Sequence, residues 1–181
     1  MRYQDNASPN AMHYLGLTRF DDTTWNENIS WRAHHKWDGA AYGTPVIVAN
    51  TIPHNIPLFV IEMHNSKKEI VGIGLIRNAI SPKNHFKIYN EGNYNRYTYC
   101  SKYRIDRSEF SEKDKIYIKV LEQLLFKMWR LKCGYTIVHS MRGQGITRFP
   151  KVLEKNTKVC FATMFKQMFK VKYNAINDDY K

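Results

Sequence analysis

Apolar residues in the first 110 positions come in short runs separated by proline, glycine, asparagine and aspartate. Runs of this length that are rich in β-branched and aromatic residues are typical of β-strands. They predict five strands, at 13–17, 45–50, 58–63, 70–76 and 97–105. Because 70–76 is apolar almost without interruption, we expect it to be buried on both faces or to form the wall of a barrel. Gly72 and Gly74 lie on one face of that strand and predict either tight coiling of the strand or a close approach by another backbone.

The apolar spacing changes to a helical period after residue 110. Ser111 has the sequence context of a helix N-cap, and apolar residues recur every four positions until Gly134 predicts the helix end. The residues of that stripe are Ile116, Val120, Leu124 and Met128, flanked by Leu121 and Leu125. A second amphipathic helix is predicted at 157–172, with an apolar face made of Phe161, Met164, Phe165, Met168 and Phe169. A shorter helix is predicted at 29–37.

Together these elements predict an α+β fold in which a small mixed β-barrel packs with two amphipathic helices. We expect one domain at 13–172, with a β-rich barrel at 13–110 and a basic helical part at 111–172. Residues 1–12 are polar and predict a flexible arm, and 173–181 predict a tail. The apolar face of the second helix is expected in the core; the alternative is a basic amphipathic helix that lies on a membrane or a partner.

The positive charge of the chain is concentrated in its last third. The chain carries 28 basic and 16 acidic residues, a formal net charge of +12. Residues 113–172 hold 14 basic and 3 acidic residues, whereas 1–112 hold 13 and 11. Because high net charge destabilises a compact protein through self-repulsion, its concentration in one segment favours a polyanion-binding surface over a merely solvated face.

Sequence templates for enzymes and cofactors find no match in the chain. It has no Walker loop and no GxGxxG, GxSxG or HExxH motif. Cys100, Cys133 and Cys160 form no CxxC pair, which argues against structural zinc and fits a reducing compartment. No apolar run has the length of a transmembrane span, and no secretory signal is recognised. We therefore expect no catalytic residues, no metal, no cofactor and an intracellular location, in the cytoplasm or nucleus.

A metal-dependent nuclease is an alternative, because the charge of the chain suits DNA. Such enzymes hold their cation with clustered carboxylates. Asp38 and Glu62 are a candidate pair on two different elements, although Glu62-Met63-His64 lacks the lysine that commonly follows the second acid. Metal-dependent cleavage that disappears in Glu62→Gln would distinguish this alternative from a binding protein.

A basic, glycine-containing loop is the sharpest local candidate for contact with nucleic acid. Glycines expose backbone N–H groups, and arginines pair with phosphate in a bidentate manner. The loop contains Arg142, Gly143, Gly145 and Arg148 and is followed by Lys151. An ordinary turn with solvated arginines is the alternative interpretation.

Three tryptophans in the first forty residues are the second candidate. Trp25, Trp31 and Trp37 are suited to stacking on an unpaired base, with Arg32 as a phosphate ligand. Core packing is the commoner fate of tryptophan, and we expect it for two of the three.

Four segments also resemble a known family. They are the strand Tyr14 to Leu17, the pair Trp31-Arg32, the segment Thr44 to Val48 and the strand Ile70 to Ile76. Over 13–110 the chain resembles the PUA-like domains of the EVE or ASCH kind, which are small β-barrels that often recognise modified bases or structured RNA. The resemblance implies a barrel with a base pocket near Trp25, Trp31, Trp37 and Asn50.

The sequence thus predicts a non-enzymatic DNA- or RNA-binding protein. Its basic C-terminal part would grip the phosphate backbone, and its aromatic residues would supply a base pocket. The alternative is a virion structural or assembly protein of a large AT-rich DNA virus, since the chain is rich in residues with AT-rich codons. In that case the basic surface would pack against acidic structural partners or the packaged genome, and the protein would be found in the virion.

Overall fold

The computed structural model describes residues 14–80, 86–126, 129–130, 136–137, 144–156 and 159–173. The strands are β1 (Tyr14–Phe20), β2 (Ala40–Thr44), β3 (Pro57–His64), β4 (Glu69–Arg77), β5 (Tyr97–Ser101), β6 (Arg104–Asp106), β7 (Trp129–Arg130), β8 (Thr136–Ile137) and β9 (Thr147–Arg148). The helices are α1 (Asp22–His34), α2 (Glu112–Phe126), α3 (Lys151–Asn156) and α4 (Phe161–Tyr173). The α+β class is confirmed.

A five-stranded mixed sheet is the centre of the fold, with the strand order β6-β4-β3-β1-β9. β1 and β3 are parallel, with Leu15 opposite Phe59, and the other pairs in this sheet are antiparallel. The sheet is open and is not closed into a barrel, so the predicted PUA-like barrel is not confirmed. β2 and β5 form a separate antiparallel ribbon, in which Ala40 lies opposite Ser101 and Thr44 opposite Tyr97.

Each face of the sheet carries its own core. One face packs against α2 and α4 and contains Leu15, Leu17, Phe59, Ile61, Ile73, Leu121, Leu125, Phe165 and Phe169. The other face packs against α1 and the ribbon and contains Phe20, Trp25, Trp31, Tyr42, Leu58, Val60, Val71 and Ile76. β4 contributes to both cores, which explains its continuous apolar run and confirms the prediction of burial on both faces.

α1 follows β1 and, with β2, makes up the connection between the parallel strands β1 and β3; it begins seven residues before the predicted helix at 29–37. Asp21 is its N-cap: the carboxylate accepts a hydrogen bond of 2.8 Å from the backbone N–H of Thr24. The buried residues are Trp25, Asn28 and Trp31, about one per turn. Such a narrow apolar stripe, with a polar residue in the middle, leaves little amphipathic signal in the sequence.

The Ser111 cap of α2 is confirmed, because its hydroxyl accepts a hydrogen bond of 3.1 Å from the backbone N–H of Asp114. The predicted stripe is wrong at Ile116 and Val120, which are 65% and 42% exposed, but its flanking residues Leu121 and Leu125 are buried together with Ile118. Met128 lies outside the described residues. A stripe spaced by four residues drifts about 40° around the helix at each step, so it leaves the buried face. The predicted end near Gly134 is also wrong, because α2 ends at Phe126 and the chain re-enters a strand at β7.

Two of the five predicted strands differ from the structure. Residues 45–50 form a loop after β2, and the Thr44 hydroxyl donates a hydrogen bond of 2.6 Å to the carbonyl of Val46. The predicted strand 97–105 is divided at Lys102 and Tyr103, so that β5 joins the ribbon and β6 joins the main sheet. The strands predicted at 13–17, 58–63 and 70–76 are confirmed as β1, β3 and β4, and α4 confirms the predicted C-terminal helix.

Candidate functional site

A cleft of about 1060 Å³ opens where the end of α1, the bend between β5 and β6, and the end of α4 meet. Its lining is rich in charge. The basic residues are Arg32, Lys36, Lys102, Arg104 and Lys172, the acidic ones are Asp38, Asp106 and Glu109, and the aromatic ones are Trp37 and Tyr173. A concave site with convergent polar groups is the usual form of a binding site.

Arg104 of β6 lines the cleft and forms a buried ion pair with Glu62 of β3. We call this ion pair the floor of the cleft. The two side chains are 2% and 4% exposed, and the Arg104 Nη2 atom lies 2.7 Å from the Glu62 Oε2 atom. The Arg104 Nε atom donates to the same carboxylate at 2.9 Å, and the Tyr42 hydroxyl donates to it at 2.7 Å. Arg104 also reaches Asp106, with 2.9 Å between Nη1 and Oδ2. Both ends of the pair are therefore satisfied, as buried charges require.

The electrostatics of the floor follow from this pairing. Burial by itself lowers the pKa of Arg104, but the Glu62 carboxylate, with Tyr42 and Asp106, outweighs that effect and raises it. The Tyr42 pKa is also raised well above its ordinary value, by burial and then by Glu62. Arg104 is thus a permanent cation and Tyr42 a permanent donor.

Gly72 and Gly74 make room for these side chains. A Cβ at Gly72 would meet Arg104 and Glu62, and a Cβ at Gly74 would meet the Tyr42 hydroxyl. The close approach predicted for this face of β4 is therefore made by buried polar side chains rather than by another backbone.

Three cations of the cleft have no carboxylate within ion-pair distance in the part of the chain that the structure describes. They are Arg32, Lys36 and Lys102. The Arg32 Nε atom donates to the Asn28 Oδ1 atom at 3.0 Å, and its guanidinium lies 5.7 Å from the centre of the Trp25 ring. Burial lowers the pKa of Arg32, and the nearby Arg104 guanidinium lowers it further. The Glu62 and Asp106 carboxylates offset these effects only in part, and a bound anion would raise the pKa of Arg32 by adding counter-charge.

A rigid turn carries Trp37 into the cleft. Lys36 has a left-handed backbone with φ of 50°, and the Trp37 Nε1 atom donates a hydrogen bond of 3.1 Å to the carbonyl of Ala40. A side chain at Gly39 would collide with the backbone of Ser101 and Lys102. The turn is therefore fixed against β5, and the half-buried indole is held in one orientation.

The structure separates the three tryptophans that the sequence grouped. Trp25 and Trp31 are each 8% exposed and belong to the second core, whereas Trp37 is half-buried: it packs against that core and, with Arg32, lines the cleft. Asn50 lines a different cavity, of about 230 Å³, together with Ile52 and Tyr99. The four residues of the pocket implied by the family resemblance therefore do not meet in one place.

Part of the predicted basic loop can be located. Arg142 and Gly143 lie outside the described residues, and Lys151 is exposed at the start of α3. Arg148 donates from Nη1 to the carbonyl of Thr51 at 3.2 Å and has Glu154 at 3.9 Å from Nη2. Its guanidinium also covers the Tyr14 ring at 5.4 Å, so much of this cation is already engaged.

This loop lies away from the tryptophan turn. Gly145 packs against Thr44, at one end of β2, whereas the Trp37 turn precedes Ala40 at the other end. A five-residue strand spans about 13 Å between its end residues. The two candidate sets of the sequence are thus held apart rather than combined in one pocket.

The two carboxylates predicted as a nuclease pair, Glu62 and Asp38, have different surroundings. Both Glu62 oxygens are engaged by Arg104, and Asp38 lies in the cleft. Within the described ranges, no group of three or more His, Cys, Asp or Glu side chains is arranged to hold a metal ion. In the same part of the chain, no helix is both long and apolar enough to cross a membrane.

Sequence reasoning named Arg32 and Trp37 but missed Lys36, Lys102 and Arg104 as neighbours in the cleft. The sequence did indicate that Lys102 and Arg104 belong together, because residues two positions apart in the predicted strand 97–105 share one face. The basic C-terminal part supplies only Lys172 to the described cleft, and the Lys172 Nζ atom is paired with Glu109 at 2.6 Å.

Comparison with known proteins adds no functional information. No protein-family model, no curated protein and no solved structure matches this chain. The charges and the geometry of the cleft are therefore the basis for a functional proposal.

Proposed function

We propose that this protein binds nucleic acid, DNA or RNA, through the cleft and acts without catalysis. The observation that carries the proposal is the set of unpaired cations, Arg32, Lys36 and Lys102, beside the fixed indole of Trp37. The volume of about 1060 Å³ is at the upper end of small-ligand sites, which leaves room for a nucleotide and its flanking phosphates.

Arginine and lysine have different parts in this arrangement. Arg32 is half-buried and held at Nε by Asn28, so its two terminal nitrogens remain for a phosphate in bidentate geometry. Lys36 and Lys102 are exposed point charges on the rim. Binding should therefore combine one positioned contact with a salt-sensitive attraction.

The indole favours an unpaired strand over a duplex. Base–aromatic stacking needs a base that has left its own stack, and the hydrogen bond from Trp37 to Ala40 fixes the ring before binding. A duplex would have to expose a base at a cost of a few kcal/mol. We therefore expect the affinity for single-stranded oligonucleotides to exceed that for duplexes.

A salt titration of binding tests this proposal. The logarithm of the affinity for a labelled single strand should fall linearly with the logarithm of salt concentration, and Arg32→Ala/Lys102→Ala should reduce that slope by about 1.4, or 0.7 for each lost phosphate contact. Lys67→Ala/Lys68→Ala removes the same charge from the exposed turn between β3 and β4 and is the matched control. Arg148→Ala should change the slope less, because that guanidinium is already engaged by Thr51 and Glu154.

Two outcomes would count against the proposal. Equal slopes for the cleft variant and the control would place binding elsewhere on the protein. No binding even at low salt would favour the alternative prediction, a virion assembly role in which the positive charge meets acidic structural partners. That alternative stays a prediction, as do the location and the viral source.

A further inference from the structure

We propose that Asp38 makes the cleft select bases that carry an exocyclic amino group at the position beside Trp37. This inference rests on the proposed nucleic-acid binding and assigns a specificity-determining residue to the same site. It starts from a difference among the carboxylates of the cleft: Asp106 is paired with Arg104 and Glu109 with Lys172, whereas Asp38 has no such partner among the described residues.

Asp38 remains unpaired although cations surround the cleft. Its side chain is exposed and has no ion-pair or hydrogen-bond partner among the residues that the structure describes, while Arg32, Lys36 and Lys102 are unpaired in the same cleft. A carboxylate whose purpose was to neutralise these cations would lie against one of them. Asp38 instead leaves the cations free for a ligand.

The backbone fixes where this carboxylate stands. Asp38 lies between Trp37, whose indole is anchored to the Ala40 carbonyl, and Gly39, which is pressed against Ser101 and Lys102. The backbone of Asp38 is therefore held as firmly as the Trp37 indole. A base stacked on Trp37 would present its edge near the next residue of the turn, which is Asp38.

The chemistry of the Asp38 carboxylate determines which hydrogen-bonding group the base edge must present to it. An ionised carboxylate only accepts hydrogen bonds, and it repels phosphate oxygens and base carbonyls. Cytosine presents an amino donor at N4, a natural partner of aspartate, whereas uracil presents a carbonyl oxygen at position 4 and carries its one donor, N3–H, at the neighbouring position. Asp38 should therefore favour cytosine over uracil.

The test compares oligo(dC) and oligo(dU) of equal length, whose bases differ at position 4 and in the proton that uracil carries on N3. The wild-type protein should bind oligo(dC) about tenfold more tightly at the same salt concentration. In Asp38→Asn the ratio should fall to near one, because an amide both donates and accepts. The affinity for oligo(dU) should rise in this variant, since a repulsive charge is removed.

The outcomes separate this inference from the proposed function. Equal affinities for the two oligonucleotides in the wild type, or an unchanged ratio in Asp38→Asn, would overturn the role of Asp38 while binding itself stands. If neither oligonucleotide binds at low salt, both proposals fail. A general loss of structure is checked by the thermal unfolding midpoint, which should not change because Asp38 is exposed.

Discussion

Replacing Glu62 with glutamine should lower the free energy of unfolding by about 3–5 kcal/mol, the cost of breaking a buried ion pair at one partner. The substitution leaves the Arg104 guanidinium, only 4% exposed, without the carboxylate that accepts from its Nε and Nη2 atoms. It also removes the anionic acceptor of the Tyr42 hydroxyl. In a chain of this size the unfolding midpoint should fall by roughly 6–20 °C, measured by circular dichroism.

A double variant and an exposed pair provide the controls. Glu62→Gln/Arg104→Met should be less unstable than the sum of the two single changes, because neither charge is then left alone. Glu112→Gln breaks the exposed pair with Lys115 and should leave the midpoint unchanged. An unfolding midpoint of Glu62→Gln equal to that of the wild type would mean that the floor of the cleft does not depend on this pair.

This prediction changes how Glu62→Gln can be used to test for a nuclease. Because the carboxylate is engaged by Arg104 and Tyr42, its loss would disturb the cleft whether or not the protein cleaves DNA. Loss of cleavage in this variant would therefore not identify Glu62 as a metal ligand.

The second large effect is expected at Phe169 of α4. Replacing it with alanine should lower the free energy of unfolding by about 3–5 kcal/mol. Phe169 is fully buried, with its ring 5.3 Å from that of Phe59 on β3 and 5.9 Å from that of Tyr173. Removal of the ring would leave a cavity between helix and sheet, since the surrounding core relaxes only in part. Chemical denaturation of the purified variant measures this loss.

The control for Phe169 lies two residues further along the same helix. Val171 is 73% exposed, so Val171→Ala should change the free energy of unfolding by no more than about 0.5 kcal/mol. If Phe169→Ala proved as mild as Val171→Ala, the apolar face of α4 would not be part of the core. The alternative of a helix that lies on a membrane or a partner would then regain support.

Elements with wide apolar faces could be predicted from the sequence. β3 and β4 are apolar because they are buried among other elements, and α4 repeats its phenylalanines at helical spacing. α1 was largely missed because its buried face includes Asn28, whose amide donates to the carbonyl of Ala41 at 2.7 Å. That bond joins residues thirteen positions apart and has no local sequence signature.

Only those residues of the site that lie close together in the sequence could be predicted. Arg32 and Trp37 stood close together in the sequence and proved to line one cleft. Lys102 joins them because it lies at the bend between β5 and β6, and that bend is part of the cleft lining. Trp25 and Trp31 have the same residue type as Trp37 but face the core, which a count of tryptophans cannot reveal.

The central claim, that nucleic acid enters the cleft at Trp37, is tested most directly by tryptophan fluorescence. Trp37 lines the cleft, whereas Trp25 and Trp31 are buried, so a stacked base should quench Trp37. In a Trp129→Phe background, which removes the fourth tryptophan of the chain, the quenching by oligo(dC) should disappear in Trp37→Phe while binding persists, because phenylalanine still offers a stacking face. In the same background, Trp31→Phe should keep the quenching. Undiminished quenching in Trp37→Phe at saturating oligonucleotide would contradict the account.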